Sequence, residues 1–242
     1  GYKGATSAST AQANANNTSK VMIKPNVYSW RNITVYNAFL ASYNYKRNLD
    51  SHMMKNTEWG AVAYLSHSKY GINTEININN NSNYKTGYSA LPSTNQQTYP
   101  GTSGDDATYN SAYNTEVGYL ASTSGNISGV YDMSGGSWEY MSSYISGNLG
   151  SSGFSITTLA NHDNKYFDVY NASSAISTYQ YRILGDATGE MGPFKQYLDG
   201  DNNSRYHSSW YGDHSYFVDS SYPWFSRGGH YTYGVLSGAL YF

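Results

Sequence analysis

The chain has 242 residues and a formal net charge of −2, which gives no electrostatic footprint for nucleic acid or for an anionic membrane surface. It contains no cysteine, and this excludes a disulfide framework, a thiolate zinc site and a cysteine nucleophile. Charged residues make up 12% and aromatic residues 17%, with 28 tyrosines, so the composition predicts a packed core and a surface suited to contacts.

The organisation of the chain is predicted to be simple. Residues 1–20 are small and polar without an apolar period, which is typical of a flexible arm or linker, and we expect a further segment upstream of them. Residues 21–242 contain no internal repeat and are predicted to form a single domain. No apolar run approaches the roughly 18 residues of a membrane helix, so we expect no direct membrane insertion. The Ser-, Asn- and Tyr-rich, Lys-poor composition favours an extracellular location.

A first amphipathic helix is predicted over 32–49, where apolar residues recur at helical spacing. The residues of this apolar face are Val35, Phe39, Leu40 and Tyr43. Thr34 is placed to cap the start of the helix, because a threonine hydroxyl can accept a hydrogen bond from a free N–H of the first turn.

A second helix is predicted over 53–71, with its N-cap at Asn56 or Thr57. Glu58 then lies in the first turn, where the helix dipole favours an acid, and Gly71 is a suitable C-cap. The inner face of this helix is predicted to consist of Trp59, Val62, Ala63, Leu65 and Ser66.

The middle of the chain, residues 72–128, is rich in Asn, Gly, Ser and Thr, which predicts long loops. Long loops inside a domain are unusual and often carry function. Residues 115–123 are expected to form a short strand or a helical turn within this stretch. Residues 129–141 are expected to be a loop that leads into a strand, and 149–181 irregular surface with one short strand or helical turn.

Two strands are predicted near the C-terminus, over 224–231 and 235–242. In the second of them apolar and small residues alternate in the way that suits a half-buried strand. Together with the early helices they predict one α+β domain, in which two helices are followed by short antiparallel strands and long loops.

The glycine-rich stretch GVYDMSGGSWEYM supports two interpretations. In one, Asp132 and Glu139 form the acid–base pair of an active site, although their spacing in the sequence shows no such geometry. In the other, which we favour, Gly135 and Gly136 turn the backbone and Trp138 fills the core. The two acids would then hold turn amides or an arginine side chain.

An arginine in the sequence RGG is expected to be structural. Arg227 precedes Gly228 and Gly229, and a buried arginine must be paired. The candidate partners of this arginine are Glu58, Asp132 and Glu139.

A second acidic stretch has part of the spacing of a calcium loop. Asp199, Asp201 and Asn203 stand at alternate positions, as calcium ligands do. Ser204 and Trp210 occupy the places where such a loop needs a glycine and a bidentate glutamate. A hydrophilic turn is therefore the favoured interpretation, calcium binding is the alternative, and no other cofactor is expected.

The last part of the chain holds more aromatic residues than a loop-rich segment can bury. Trp224 and Phe225 are expected in the core. Rigid aromatic side chains among small polar neighbours otherwise have the chemistry of an antibody paratope, and they suit sugar stacking. The predicted ligand-binding residues are Tyr206, His207, Ser208, Tyr211, Asp213, His214, Tyr216, His230, Tyr231 and Tyr233.

Four segments follow one another in a recognisable order. They are ITVYNAFLASYNY (33–45), HMMKNTEWGAVAYL (52–65), GVYDMSGGSWEYM (129–141) and SRGGHYTYGVLSGALYF (226–242). In these segments the chain resembles the formylglycine-generating-enzyme (sulfatase-modifying factor) family, a variant of the C-type lectin fold, and the third segment is the most specific. The resemblance implies a lectin-like fold over about 33–242, in which Trp59 and the RGG arginine are structural.

The resemblance does not carry the family's chemistry. Its copper-dependent members use cysteines near the C-terminal end, and this chain has none. Its iron-dependent relatives use a three-histidine site, whereas the histidines here are scattered along the sequence. They are His52, His67, His162, His207, His214 and His230. We therefore expect that the chain is not an enzyme.

A second group with this fold consists of surface-display proteins of bacteria and phages, including the variable proteins of diversity-generating retroelements. The Tyr-, Ser-, His- and Asp-rich stretch 203–233, which leads through RGG, resembles their binding region. The resemblance implies an adhesin- or receptor-type domain on a bacterial surface or a phage virion, in contact with a protein or glycan of a target cell. The alternatives are a fibre or pilus subunit that forms homo-oligomers and a metal-dependent oxidase or hydrolase of the same fold.

Overall fold

The structure is a computed structural model in which short helices combine with small sheets, so the chain is of the predicted α+β class. It describes residues 23–30, 33–90, 108–109, 111–171, 195–196, 207–208, 218, 220–232 and 237–240. The predicted arm, residues 1–20, lies outside the described residues. Within the described ranges, no helix has the length and apolar character that are needed to span a membrane.

The first helix, α1 (Val35–Tyr43), begins where the sequence predicts it. The Asn37 N–H donates to Thr34 Oγ1 over 3.2 Å, so the predicted N-cap is confirmed. The helix ends earlier than predicted, because a separate 3₁₀ turn, Arg47–Leu49, occupies the end of the predicted segment. Its buried residues are Val35, Phe39, Leu40 and Ala41.

The second helix, α2 (Asn56–Ser66), is capped by side chains that are distant in the sequence. The Asn56 N–H donates to Ser143 Oγ over 2.7 Å, and the Thr57 N–H donates to Asp168 Oδ2 over 3.0 Å. The prediction of an N-cap at Asn56 or Thr57 is wrong, since both residues lie inside the helix and Lys55 precedes it as the N-cap.

The two ends of α2 differ in how well the sequence predicts them. Glu58 lies in the first turn, as predicted, and its Oε2 accepts a hydrogen bond from the Lys55 N–H at 2.9 Å. The predicted C-cap at Gly71 is wrong, because the helix ends at Ser66. Leu65 was predicted on the inner face but is 60% exposed, whereas Trp59 and Ala63 are buried.

The described strands form three small sheets. In chain order they are β1 (Ile78–Asn79), β2 (Thr108–Tyr109), β3 (Glu139–Ile145), β4 (Asp168–Tyr170), β5 (Lys195–Gln196), β6 (His207–Ser208) and β7 (Trp224–Arg227). In the largest sheet β3 lies between β4, to which it is parallel, and β7, to which it is antiparallel. β1 and β2 pair in parallel, and β5 and β6 pair antiparallel.

These strands confirm some predictions and correct others. The strand expected at the end of 129–141 is the start of β3, and the element within 115–123 is a 3₁₀ turn, Gly118–Ala121. The expectation of antiparallel pairing throughout is wrong for β3–β4 and β1–β2. The strand predicted over 235–242 is wrong at its described residues 237–240, which contain a turn and no strand pairing.

The strand β3 separates two clusters of buried apolar side chains, because successive strand residues face opposite sides of a sheet. On one side Ile145 and Phe225 pack with the inner face of α2. On the other side Tyr144 and Trp224 pack with the inner face of α1. Trp224 and Phe225 are both buried, as predicted. The central sheet therefore holds the two helices on opposite faces and fixes the position of the loops at its ends.

Candidate binding site

A single loop, residues 85–90, joins segments that are far apart in the sequence, and we refer to it as the frame loop. Lys85 donates its backbone N–H to Asn26 Oδ1 over 2.7 Å, and the Asn26 N–H donates to Thr86 Oγ1 over 2.9 Å. The Gly87 N–H donates to Asp132 Oδ1 over 2.5 Å. The frame loop is thus held to the beginning of the described chain and to the glycine-rich stretch.

The far half of the frame loop is held by main-chain hydrogen bonds. The Gly136 N–H donates to Tyr88 O over 2.7 Å, and the Ala90 N–H donates to Tyr231 O over 2.6 Å. Tyr88, within the loop, and Tyr231, beside it, therefore have backbones held by hydrogen bonds. Ser89, which follows Tyr88 in the loop, is fully buried and anchors the loop in the protein.

The turn at Gly135 lies close against the frame loop. Gly135 has a φ of 79°, and a Cβ added there would lie 2.8 Å from Gly87 O. Its N–H donates to both Gly228 O, at 2.8 Å, and Ser237 O, at 2.9 Å. Glycine is needed here for its backbone conformation and for space, and the turn joins the RGG segment to the frame loop.

The RGG segment is structural in its geometry. Gly228 and Gly229 have φ values of 86° and 76°, so β7 stops before them. A Cβ on Gly228 would collide with Glu139 Oε2, and one on Gly229 would lie 2.5 Å from Ser237 Cα. These close approaches place His230 and Tyr231, which follow directly, beside the glycine-rich stretch.

Arg227 is fully buried, but its partner is not one of the predicted carboxylates. Its Nε donates to Asn56 Oδ1 over 2.9 Å, and its guanidinium carbon lies 4.6 Å from the centroid of the Phe225 ring. Among the ion pairs of the described residues, none joins Arg227 to Glu58, Asp132 or Glu139, which corrects the prediction. Glu58 contacts His52 instead, with 3.1 Å between Glu58 Oε1 and His52 Nε2.

Trp138 does not fill the core, so this prediction is wrong. The residue is 42% exposed, because β3 starts at Glu139 and adjacent extended residues point to opposite sides. The buried side chain of the pair is Glu139, whose Oε2 is buried. Trp59 does lie in the core, as Trp224 does: it is 4% exposed, and its Nε1 donates to Ala239 O over 2.6 Å.

The two acids of the glycine-rich stretch lie in different surroundings. Asp132 is exposed as a whole residue, but its carboxylate is bound to the frame loop. Burial of that carboxylate raises its pKa, and the Gly87 N–H opposes the shift in part. Burial raises the pKa of Glu139 well above its usual range, and the negative charge of Asp132 raises it further. Asp132 therefore braces the loop, while Glu139 is favoured in its neutral form.

A pocket of about 220 Å³ lies where these segments meet. Its aromatic walls are Tyr28, Tyr88 and Tyr231. Gly136 of the glycine-rich stretch and Lys85 of the frame loop also line it. The hydroxyl-bearing residues around it are Ser29, Ser82 and Ser137. Neither Asp132 nor Glu139 is among the lining residues, so the glycine-rich stretch contributes a wall of the pocket and not its acids.

Three exposed or half-buried aromatic side chains continue from the pocket across the surface, and we call them the aromatic shelf: Trp138, His230 and Tyr231. The Tyr231 and His230 rings lie 4.3 Å apart between centroids, and those of His230 and Trp138 lie 5.3 Å apart. Burial lowers the pKa of His230, which favours the neutral imidazole. Because Tyr231 belongs to both features, the shelf begins at the pocket wall.

Most of the predicted ligand-binding residues lie outside the described residues. These are Tyr206, Tyr211, Asp213, His214, Tyr216 and Tyr233. His207 and Ser208 form β6, of which the structure describes the backbone. His230 and Tyr231 are the predicted residues that the structure places at a surface site.

The predicted calcium ligands Asp199, Asp201 and Asn203 also lie outside the described residues. In the part of the chain that is described, no group of three or more His, Asp or Glu side chains is arranged to hold a metal ion.

Sequence reasoning missed Tyr28, Lys85 and Tyr88, and it misassigned Trp138. The available signal was the prediction of long loops over 72–128, since such loops often carry function. That signal marks a region and does not select Lys85 or Tyr88 within it.

Comparisons of the chain with protein-family models, with curated proteins and with solved structures found no match.

Proposed function

We propose that this chain is a ligand-binding domain of the receptor or adhesin type, which presents the pocket and the aromatic shelf to a protein or glycan on a target cell. The observation that supports the proposal is the continuity of the two features through Tyr231, which lines the pocket and packs against the ring of His230. Concave sites with aromatic walls and a few polar groups are typical of ligand binding.

The composition of the site supports recognition. Rigid tyrosine and tryptophan side chains contribute a large contact area at a low cost in conformational entropy, and serine hydroxyls adapt their hydrogen bonds to a ligand. The frame loop holds Tyr88 and Tyr231 through main-chain atoms, so little ordering is left for the moment of binding.

The resemblance in the sequence supports a wider proposal about fold and location. The domain would have the lectin-like fold of the formylglycine-generating-enzyme type without its catalysis, and it would act outside the cell, on a bacterial surface or a phage virion. The stretch 203–233 would extend the binding face, and it would be the diversified region if the gene belongs to a retroelement. An adjacent reverse-transcriptase gene with a near-copy of the 3′ end, differing at adenines, would support this last part.

A second candidate function is that of a fibre or pilus subunit. Exposed apolar side chains between 117 and 130 favour it, since such side chains can pack against a neighbouring copy. They are Val117 (50% exposed), Leu120 (39%), Ile127 (58%) and Val130 (45%). Solution mass and electron microscopy test it: concentration-dependent polymers are expected of a subunit, and a monomer at all concentrations contradicts it.

Array binding tests the first function. We expect W138A and Y231A each to weaken binding to the ligand found on glycan and protein arrays by about tenfold or more, as loss of an interface anchor does. Y70A is the matched control, because Tyr70 is 78% exposed and does not line the pocket. Unchanged binding in both W138A and Y231A, with an intact circular dichroism spectrum, would refute the assigned site.

A further inference from the structure

The charge in the pocket indicates what kind of ligand it takes. Lys85 lines the pocket, and its Nζ lies 5.0 Å from the centroid of the Tyr28 ring. The same Nζ donates to Ser82 O. Among the ion pairs of the described residues none involves Lys85. An ammonium group has three donors, so hydrogen bonds remain available for an acceptor in the pocket.

Hydrogen bonds hold the backbone that carries this charge. The Lys85 N–H is bound to Asn26 Oδ1, and the neighbouring Gly87 N–H is bound to Asp132. The ring of Tyr28 holds the ammonium by a cation–π contact, within the distance of about 6 Å at which such contacts are attractive. A cation beside aromatic walls in a partly open pocket attracts a negative group, and the attraction is moderate because water still reaches the site.

The size and the walls of the pocket fit one sugar ring. Its volume of about 220 Å³ is below the ~300–1,000 Å³ of sites for drug-sized ligands. Tyrosine rings offer apolar faces to the C–H face of a pyranose. The hydroxyls of Ser29, Ser82 and Ser137 make no hydrogen bond within the described part of the chain, so they can meet the hydroxyls of a sugar.

On these grounds we propose that the pocket binds a single carboxylated sugar residue of a glycan, whose carboxylate pairs with Lys85 while the adjoining residue of the glycan lies on the aromatic shelf. The inference rests on the proposed ligand-binding function and names its ligand class. A glycan is favoured over an acidic peptide because ring-sized aromatic walls and several hydroxyls surround the charge, whereas an aspartate or glutamate side chain would leave the walls without a partner.

The test compares matched sugars on the full chain by titration calorimetry. The probes are the methyl glycosides of glucuronic, galacturonic and sialic acid, each beside its carboxyl-reduced counterpart. We expect at least one acidic glycoside to bind about tenfold or more tightly than its reduced form, since a hydrogen bond between charged groups is stronger than one between neutral groups. Added salt should reduce this ratio, because a partly exposed ion pair is screened.

Two variants assign the effect to Lys85. K85Q is expected to bring the ratio of acidic to reduced affinity close to one. K69Q is the matched control, since Lys69 also lies over a tyrosine ring, at 4.9 Å from that of Tyr70, but does not line the pocket. A ratio that survives K85Q, or a wild-type ratio of one, overturns the inference and leaves the proposed function standing.

The remaining outcomes separate the two claims. If no glycoside binds, but an acidic peptide or a protein binds with a dependence on Trp138 and Tyr231, the sugar assignment is wrong and the binding function is upheld. If nothing on the arrays binds with a dependence on Trp138 or Tyr231, both claims are wrong.

Discussion

Gly135 and Gly136 are adjacent and share the left-handed backbone, with φ of 79° and 81°, but their surroundings differ. A Cβ on Gly135 meets the carbonyl oxygens of Gly87 and Tyr88 at 2.8 and 3.0 Å, whereas one on Gly136 meets nothing within 4 Å. At the scale of single residues, this pair separates the cost of backbone conformation from the cost of crowding.

The pair of variants G135A and G136A measures that separation. Both should lose about 1–3 kcal/mol of unfolding free energy, because an L-residue is strained at positive φ. G135A should lose more, since the frame loop must also move. The measurement is urea unfolding of both variants and the wild type. Equal losses would show that the frame loop can yield without cost, against its close packing.

The buried carboxyl of Glu139 makes stability depend on pH. Its pKa is raised well above the usual value of 4.5 in the folded chain, so between these two values the folded state binds more protons than the unfolded state. The stabilising contribution of the protonated carboxyl is therefore complete below the usual value, and it is lost as pH rises through the folded pKa.

The variant E139Q is expected to flatten this dependence. The urea midpoint of the wild type should fall as the pH is raised above the usual carboxyl pKa of 4.5, and that of E139Q should fall less, because an amide does not ionise. E116Q is the control, since Glu116 is exposed. The same slope in E139Q as in E116Q would contradict the assignment to Glu139.

The sequence predicts single residues well where the cause is local. The cap of α1 follows from Thr34 alone, because the bond spans three positions of the chain. Trp138 was predicted in the core on its size, but the buried member of the pair with Glu139 depends on which face of β3 meets the protein. No local pattern decides which face is buried, because either Trp138 or Glu139 could occupy an exposed position at the start of a strand.

At the scale of elements, α2 depends on the central sheet for its start. Asp168 of β4 accepts hydrogen bonds from both the N–H and the hydroxyl of Thr57, at 3.0 and 2.8 Å. Ser143 of β3 accepts the N–H of Asn56. The free donors of the first turn are thus satisfied by the strands on which the helix packs.

D168A should therefore lower the free energy of unfolding by about 0.5–2 kcal/mol, as the loss of an N-cap does. Asp168 Oδ1 also lies 3.8 Å from Lys55 Nζ. D168N should cost less than D168A, because its amide oxygen still accepts from Thr57 and only the attraction to Lys55 is lost. Thermal unfolding followed by circular dichroism compares the two. If D168A and D168N are equally destabilised, the charge of Asp168 and not its role as acceptor holds the helix.

The same bonds explain why the boundaries of α2 escape local prediction. The helix starts where Ser143 and Asp168 meet its N–H groups, and these acceptors lie 87 and 111 positions along the chain from the residues that donate to them. The parallel pairing of β3 with β4 has the same character, since it joins strands through a long connection. The existence of the early helices and of β3 was predictable because periodicity and turn chemistry are local.

At the scale of the whole molecule, β3 contributes to both apolar clusters, so they are expected to unfold together. F39A and F225A remove fully buried rings from opposite sides of the sheet and should each cost about 3–5 kcal/mol. Each variant should lower the midpoint of unfolding, and fluorescence and circular dichroism should report the same single transition. Two separate transitions would contradict the prediction of a single domain over 21–242.

The α+β class of the described residues was predictable from the sequence, and the candidate site was predictable in part. His230 and Tyr231 were assigned to the binding face by composition, and the structure places Tyr231 in the wall of the pocket. Tyr28 and Lys85 could not be assigned with them. They reach the same pocket through the frame loop, and only the folded chain brings these segments together.

At the frame loop, main-chain hydrogen bonds hold the site in place, whereas side chains line the pocket. Tyr88 and Tyr231 are anchored by their carbonyl oxygens, and these bonds do not depend on the side chain that either residue carries. Both positions can therefore be randomised together in a display library while the backbone keeps its shape. A scaffold of this kind would let new specificities be selected at positions 88 and 231.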